Sequence, residues 1–472
     1  MSQLPSFRTS TVFLLTILIL CCGSPAGQAQ ETQTPAGTQA GTQAAPPQGT
    51  SQPAWFDQRE MTGNWGGLRT TLKDEGILIR GHYVGEMAGN PQGGRSQGFR
   101  YAHEIAIGAD IDFDKLTGID VGTLHVTLTE RAGRSLANDS IGNIESVQEI
   151  YGSGETVRIT MLALEHQFGA HLNTEIGWNN AETDFGASSV YWGDSLYCLY
   201  QSNAICGMPQ ALAANSGYSF YPTVVPAAWA KLYPTRDRSV VLGLGIYAVN
   251  PTIVNTHNGF QLGLDNVTGV YMPVELGWHR GKSEAKGIFP GMYRVGGYYD
   301  TSEVKIVTNQ ATRYIPSGIT PLDLPMQSRR GRYGAWVMAD QMIERDQADP
   351  NRGVVLWGTF IWGDPQTALF PYFGSIGLAR KGTFASRPND TVSAGFVVAA
   401  LNNKLARYEG MLAHEGLSVP LQSQEMVGEL NYGYELTHWF ILRPGVQYVW
   451  HPSGENEIPN AFVMDLQASV TF

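Results

Sequence analysis

The first part of the chain carries charged and aromatic side chains of the kinds that contact polar solutes. Carboxylates and guanidinium groups form hydrogen bonds with hydroxyls, and an aromatic face packs against the apolar face of a sugar ring. Such residues fall in or beside predicted strands, near the longest connections: Arg80, Glu86, Glu104, Arg131, Arg134, Glu175, Trp178, Trp192, Glu275 and Trp278. If these strands form a water-filled barrel, the ten residues are candidates for lining its pore. The ordinary alternative for any one of them is an exposed loop position or an aromatic at a membrane interface.

No catalytic motif accompanies these residues. The sequence has no G-x-S-x-G, H-E-x-x-H or Walker motif, and no dinucleotide-binding glycine pattern follows a predicted strand. The ten histidines are scattered, and His103 and Glu104, as neighbours in a strand, point to opposite faces. We therefore expect no enzyme, no metal site and no cofactor.

The N-terminus predicts a secretory signal peptide over residues 1–29. Arg8 precedes an apolar run from Thr11 to Cys22, and small and polar residues follow it. The run is shorter than the roughly 20 apolar residues of a spanning helix. Cleavage is expected after Ala29. Lipoprotein processing at Cys21 or Cys22 is the alternative, disfavoured because a bulky residue precedes each cysteine.

Two further segments follow from composition. Residues 30–54 contain mainly Gln, Thr, Ala, Gly and Pro, with GTQA repeated, and predict a disordered linker. Residues 55–472 show no second break and predict one large domain. Its first part, 55–76, is an N-terminal helical segment, with a short helix that begins at Thr62 or Asn64 and ends at Gly76.

The composition points to a membrane without helices. The formal charge is -11, which disfavours a nucleic-acid partner. Charged residues make up only 15% of the chain, against about 25% in ordinary soluble proteins. After residue 22 no apolar run reaches the length of a membrane helix. Because lipid admits only helices and closed barrels, a membrane protein of this sequence must be a barrel.

Apolar and polar residues alternate with a period of two in many segments of the chain. In residues 101–113, Ile105 and Ile107 alternate with Glu104 and Asp110, and similar alternation returns in later segments through the terminal Phe472. A soluble sandwich also alternates. Aromatics at the predicted strand ends, the aromatic C-terminus and about sixteen segments favour a transmembrane antiparallel β-barrel, an all-β fold wide enough for a channel.

The connections also alternate in length, though imperfectly. Long ones lie near 131–156 and 181–225, and PSGENEIPN after Trp450 is expected to be one of the short ones. Long loops belong outside the cell and short turns on the periplasmic side.

Several blocks, in order, make the chain similar to the carbohydrate-selective porin family typified by OprB, from about Trp55 to Phe472. These blocks are TGNWGGLRTTLKDEGI at 62–77, DFGASSVYWGDSLYCLYQSNAICGMP at 184–209, FPGMYRVGGYYDTS at 289–302, ADQMIERD at 339–346, GLARKGTFASRPNDTVSAGF at 377–396, ELNYGYELTHWFILRPGVQYVWHPSG from 429, and the closing strand. The resemblance implies a sixteen-stranded barrel in the outer membrane of a Gram-negative bacterium, which passes monosaccharides and similar neutral solutes.

One position departs from the resemblance. Where the family pattern leads us to expect Gly-Arg, this sequence has Gly177 and Trp178. If that arginine helps to line the constriction, the pore is less basic here and its sugar preference is altered.

The predicted function is passive diffusion of small solutes, mono- and disaccharides above all, into the periplasm. A general or anion-preferring porin, an outer-membrane barrel hydrolase and a soluble secreted carbohydrate-binding protein are the alternatives. Expected partners are outer-membrane lipid, lipopolysaccharide and small neutral sugars, with the protein a monomer or a homotrimer.

We predict that Cys198 and Cys206 form a disulfide, because they lie close in sequence in an exported loop and the compartment is oxidising. Closing so short a loop adds about 2–3 kcal/mol at most. Reduction should therefore change loop protease sensitivity or gating more than folding. Alkylation of denatured, unreduced protein checks the bridge, and two reactive thiols would exclude it.

Overall fold

The structure is a computed structural model, and it describes residues 55–148, 150, 152, 155–187, 199–202, 204–205, 210–281, 288–310, 327–346, 349, 351–414, 416 and 419–472. The predicted signal peptide and linker lie outside the described residues, as do Trp192, Cys198 and Cys206. No helix in the described part of the chain is long and apolar enough to cross a membrane.

Sixteen antiparallel strands close into one barrel, in which each strand pairs with the next and β1 pairs with β16. The strands are β1 Ile77–Gln92, β2 Phe99–Asp112, β3 Thr123–Gly133, β4 Thr156–Phe168, β5 Leu172–Asn179, β6 Val225–Leu232, β7 Val240–Val249, β8 Gly269–Arg280, β9 Gly291–Lys305, β10 Ser328–Arg345, β11 Gly353–Gly363, β12 Tyr372–Lys381, β13 Thr391–Ala400, β14 Gln424–Thr437, β15 Phe440–Trp450 and β16 Ala461–Thr471. The predicted fold class is confirmed.

The strands form where polar and apolar residues alternate, because successive side chains point to opposite faces of the wall. In β2, Ile105 and Ile107 are exposed on the outer face, whereas Glu104 and Asp110 are buried inside. The closing strand repeats the arrangement, with Asp465 inside and Met464 outside. The outer surface is thereby apolar and suited to lipid.

Within the described residues, six short helices lie in the connections and before the first strand. They are α1 Leu68–Asp74, α2 Phe113–Thr117, α3 Ala181–Asp184, α4 Gln210–Asn215, α5 Val307–Gln310 and α6 Asn403–His414. Single turns of other helical types span Trp55–Asp57, Trp65–Gly67, Ala137–Ile141, Thr256–Asn258 and Pro452–Gly454.

The N-terminal segment is fastened beside the seam where β1 meets β16. Met61 donates its backbone N–H to the carbonyl of Thr471 at 2.8 Å, and the rings of Trp55 and Trp439 lie 4.4 Å apart. The helix begins at Leu68, later than predicted, because Gly66 and Gly67 adopt positive φ angles of 69° and 105°.

The connections divide the barrel into two ends. Those after odd-numbered strands include the long segments 134–155 and 180–224, and those after even-numbered strands include the short turns 169–171 and 438–439. The connection 451–460 joins β15 to β16 and so belongs to the long-connection end, which corrects its assignment to the short turns. Long connections face the cell exterior in such barrels.

The lumen is packed on one side by described parts of the connection 180–224. The rings of Tyr200 and Trp357 lie 5.5 Å apart, and those of Phe185 and Tyr247 lie 6.1 Å apart. Trp336 is buried nearby and donates its indole N–H to Glu275 at 2.7 Å. An apolar core therefore fills the lumen beside β7–β13, and polar side chains face the lumen from β1–β6.

We predict that Gly296→Ala destabilises the barrel. The indole of Trp336 lies across Gly296, where an added Cβ would stand 2.3 Å from two ring carbons. Overpacking of this kind costs about 1–3 kcal/mol. The change should lower the temperature at which the folded band converts to the unfolded band on a gel. The control is Gly358→Ala, whose Cβ would meet only the Ser375 carbonyl oxygen at 3.4 Å. Equal shifts in the two variants would contradict the prediction.

Candidate pore constriction

Two long connections enter the lumen and are bound to the opposite wall. In the connection 134–155, the backbone N–H groups of Ile144 and Glu145 donate to Glu425 of β14 at 2.9 and 2.7 Å. In the connection 180–224, those of Gln201 and Ser202 donate to Glu429 at 2.9 and 2.8 Å. Because loop atoms reach the wall of β14, both connections narrow the space inside the barrel.

The segment Asp184–Phe185–Gly186 fixes the direction in which the connection 180–224 leaves β5. Asp184 accepts from Lys231 Nζ at 2.8 Å and from the Tyr247 hydroxyl at 3.1 Å. The peptide N–H of Gly186 donates to Glu275 at 3.1 Å. Burial raises the pKa of the Asp184 carboxyl, and the ammonium group of Lys231 opposes that rise.

Phe185 fits a recess that exists because β7 carries glycines at two inward positions. A Cβ at Gly243 or at Gly245 would stand 2.7 Å from the Phe185 ring. Each residue of this segment thus has a partner on a different strand. Asp184 binds Lys231 of β6, the Phe185 ring packs on β7, and the Gly186 N–H donates to Glu275 of β8. This explains in physical terms why the sequence carries Asp-Phe-Gly at the point where the loop turns inward.

The returning part of the same connection meets the wall of β2 and β3 at Tyr221. Its hydroxyl lies 2.9 Å from Glu104 and 2.7 Å from Thr129 Oγ1, and the Arg131 guanidinium is 5.0 Å from its ring centroid. Arg131 also forms an ion pair with Glu104. A guanidinium, a carboxylate and an aromatic ring are therefore brought together at this point of the wall.

Glu182 supports Tyr221 from the start of the connection. Its carboxylate accepts the Tyr221 backbone N–H at 2.8 Å. Burial raises the pKa of the Glu182 carboxyl to about 7, and the hydrogen bond from Tyr221 opposes the rise. The beginning and the end of the connection are thus tied to each other inside the barrel.

A row of paired polar groups crosses the inner wall from β1 to β5. Arg80 contacts Asp110 at 2.5 Å, and His125 contacts Asp110 at 2.7 Å and Glu165 at 3.1 Å. Asn173 donates to the other oxygen of Glu165 at 2.5 Å. Ionised carboxylates only accept, so when Asp110 and Glu165 are ionised both ring nitrogens of His125 donate and the ring is an imidazolium. We call these five residues the polar row.

The polar row reaches water through Arg80, whose side chain is 48% exposed. His82, on the same strand, is 28% exposed and contacts Glu104 at 3.0 Å. Donor groups of these two side chains are therefore accessible from the lumen.

Six of the ten pore candidates point into the barrel: Arg80, Glu86, Glu104, Arg131, Glu175 and Glu275. Most of them are bound to other protein groups. Glu86 is buried against Ile150 and Gln467, Glu175 against Asn179 and Trp229. The structure brings Glu104 and Arg131 into one cluster, and the hydrogen bonds of the other four are made to other groups of the wall and loops.

Trp178 and Trp278 lie on the outer surface, so the prediction that they line the pore is wrong. Trp178 shares a face with Ile176, which is 64% exposed, and it donates its indole N–H to Leu262. Trp278 is 49% exposed and stacks on Tyr293 at 5.4 Å. Each tryptophan follows an inward glutamate of its own strand by three positions, and an odd spacing reverses the face. The departure from Gly-Arg at position 178 therefore leaves the inner wall unchanged.

Two other candidates are not on the inner wall of the described barrel. Arg134 follows β3 at the long-connection end, where its side chain is 66% exposed and pairs with Asp139 at 2.8 Å. The guanidinium groups of Arg100 and Arg134 hold the pKa of Asp139 below its usual value. Trp192 lies outside the described residues.

Several interior residues were missed by sequence reasoning. Trp229 and Lys231 alternate within β6 and face inward, opposite Glu175 and Asn173 of β5. Their spacing of two was a usable signal. His125 also carried such a signal, because it alternates with Leu124 and Val126 in β3. Tyr221 lies in a connection, where no periodicity exists to indicate which way a side chain points.

The architecture itself defines the class of protein. A closed sixteen-stranded barrel with an apolar outer face and loops folded into its lumen is an outer-membrane porin.

Comparison with known proteins gives the family. The sequence model described as "Carbohydrate-selective porin, OprB family" matches residues 96–472. The chain is 32% identical to Porin B of Pseudomonas aeruginosa over 428 residues, which is 87% of this chain and 91% of that protein. It is 27% identical over 440 residues to the putative porin QuiX of Acinetobacter baylyi, covering 89% and 94%.

A solved structure agrees with this assignment. The high pH structure of Pseudomonas putida OprB is similar with a TM-score of 0.80 at 31% identity, covering 89% of this chain and all of that one. The chain belongs to the OprB family of carbohydrate-selective porins, and it is an outer-membrane protein of a Gram-negative bacterium. Family and fold point to a transport channel rather than an enzyme.

We predict that Lys231→Met loosens the inward connection. Lys231 and Asp184 form a buried ion pair, and removing one partner of such a pair costs about 3–5 kcal/mol. On a gel, the folded band of the variant should convert to the unfolded band at a lower temperature than that of the unchanged protein. Adding Asp184→Asn should restore part of the loss, since no buried charge then lacks its partner. Lys404→Met, which changes a half-buried lysine of α6 that donates to the Gln366 side chain at 2.6 Å and forms no ion pair among the described residues, is the control. A double variant no more stable than Lys231→Met would count against the pairing.

Proposed function

We propose that this chain is a passive channel for small neutral sugars, mono- and disaccharides, which diffuse through it into the periplasm. In this proposal residues 1–29 are removed as a signal peptide and residues 30–54 form a linker ahead of the barrel. Outer-membrane lipid and lipopolysaccharide surround the apolar outer face. One chain encloses its own lumen, so each copy carries a channel whether the protein is a monomer or a homotrimer.

The polar row is the observation that carries the proposal. Its charged members are Arg80, Asp110, His125 and Glu165, so positive and negative groups alternate along the wall. Rings of a single charge select ions. A row of paired opposite charges offers donors and acceptors to hydroxyls without a strong field of one sign. This favours a neutral, hydroxyl-rich permeant over an anion.

The cluster of Arg131, Tyr221 and Glu104 supports the same class of permeant. Guanidinium and carboxylate groups form charge-assisted hydrogen bonds, and a tyrosine ring contributes an apolar face with a polar end. A sugar carries hydroxyls around its edge and C–H groups on its faces. Tyr221 is half-buried at the wall, Glu104 and Arg131 are buried behind it, and the accessible donors nearby are Arg80 and His82.

The test is swelling of liposomes that contain the purified protein. Neutral mono- and disaccharides should enter faster than zwitterionic amino acids of matched mass, without energy input and with only weak saturation. Arg80→Met should reduce sugar entry by about two- to tenfold, the factor for one lost hydrogen bond of about 0.5–1.5 kcal/mol. Small-ion conductance should change less.

The control for that variant is Trp178→Phe, because Trp178 lies on the outer face. It should leave sugar entry unchanged. Swelling rates that depend on solute size alone would indicate a general porin. Failure of every small solute to enter would remove the transport function.

A further inference from the structure

Carboxylates of β14 receive backbone N–H groups from both inward connections. Glu429 accepts from Gln201 and Ser202, and Glu425 accepts from Ile144 and Glu145. Glu425 also accepts the Ser453 N–H at 2.5 Å. Both glutamates are buried, at 5% and 0% exposure. Two residues four positions apart on one strand therefore bind two separate loops.

Carboxylates suit this task for a definite reason. Each has two oxygens that accept several hydrogen bonds, and an anionic acceptor binds N–H groups more strongly than a neutral one. A loop folded into a barrel carries amides that no ladder satisfies, and an unsatisfied buried amide is costly. The side chains that accept these amides thus determine whether the loop stays against the wall.

We propose that Glu429 and Glu425 are positioning residues of the channel, which set its conductance by holding the two inward connections against the wall of β14. This inference rests on the proposed function in one respect: the two connections must form part of the boundary of the diffusion path. It concerns the width of that path and not the identity of the sugar.

The surroundings of Glu429 show how the loop tip is seated. The Gln201 side chain donates to Asp465 at 2.5 Å and to the Arg443 carbonyl at 2.9 Å. The charged groups that face Glu429 are Arg443 of β15, Asp465 of β16 and Glu86 of β1. Gln201 thus binds β14, β15 and β16 together, and its backbone N–H depends on Glu429.

Glu425 faces a different charged neighbour. Glu145, from the connection it holds, is buried beside it, and this burial raises the pKa of the Glu145 carboxyl well above its usual value. Three amides converge on Glu425, so the site holds the connections 134–155 and 451–460 at once.

The experiment measures single-channel currents in planar bilayers, in potassium chloride without sugar. Three states of position 429 are compared: Glu, Gln and Leu. Gln retains one carbonyl acceptor, whereas Leu has a similar volume and no acceptor. The time spent in states of higher conductance should increase in the order Glu, Gln, Leu. For Leu the ratio of released to held loop should rise about tenfold or more for each of the two charge-assisted hydrogen bonds that are lost. The same series at position 425 should behave alike.

Glu130→Leu is the matched control. Glu130 lies on the outer face of β3, where it pairs with His103 at 3.3 Å and accepts no backbone N–H from the described loop residues. Its current histogram should equal that of the unchanged protein. Heat-dependent gel mobility establishes that each variant has formed the barrel before its currents are recorded. If a Leu variant does not fold, the Gln variant at that position is compared with the unchanged protein instead.

Unchanged histograms in the folded Gln and Leu variants at both positions would overturn the proposal. Equal effects of Gln and Leu would overturn it too, because a purely structural loss does not depend on the remaining acceptor. Sugar entry is measured separately by swelling. A channel that excludes sugars yet shows the graded currents would refute the proposed permeant and retain the positioning role.

Discussion

Hydrogen bonds from loop amides to carboxylates on the barrel wall are the interaction on which the interior of this porin depends. Sixteen strands enclose more space than their own side chains fill. Loops must therefore enter to make a constriction, and each brings backbone N–H groups into a region with little water. Glu425 and Glu429 satisfy these groups for two loops from one strand, and Glu275 does the same at Gly186. The loops are located by acceptors on the wall rather than by their own secondary structure.

That constraint divides the lumen. Where the connection 180–224 lies against β7–β13, apolar residues such as Tyr200 and Trp357 pack as in the core of a soluble protein. Along β1–β6 buried apolar residues such as Val84, Ala102 and Trp229 are interspersed with polar ones, and the polar row faces the lumen there. One connection therefore contributes to stability on one side of the barrel and leaves hydrogen-bonding groups available on the other.

The sequence contained enough to predict the wall but not the interior. A period of two is a local property, so the alternation of residues 101–113 predicted the strand Phe99–Asp112, and about sixteen segments were expected where sixteen strands are found. The same period, applied from Glu175 and Glu275, would have placed Trp178 and Trp278 outside. The contact of Tyr221 with Glu104 joins positions 117 apart in sequence, and no local pattern encodes it. Loop contacts of this kind follow from closure of the barrel and become visible only in three dimensions.

The charge of the chain is a poor guide to the charge of its channel, and the structure explains why. The formal charge of -11 suggests a cation-attracting pore. Glu86, Glu425 and Glu429, however, are buried beneath the loops whose amides they accept, so loop atoms lie between them and a permeant. The acidic groups that do face the lumen from the polar row, Asp110 and Glu165, are paired with Arg80 and His125. An acidic composition is thus compatible with a path whose wall is nearly balanced in charge, as a neutral solute requires.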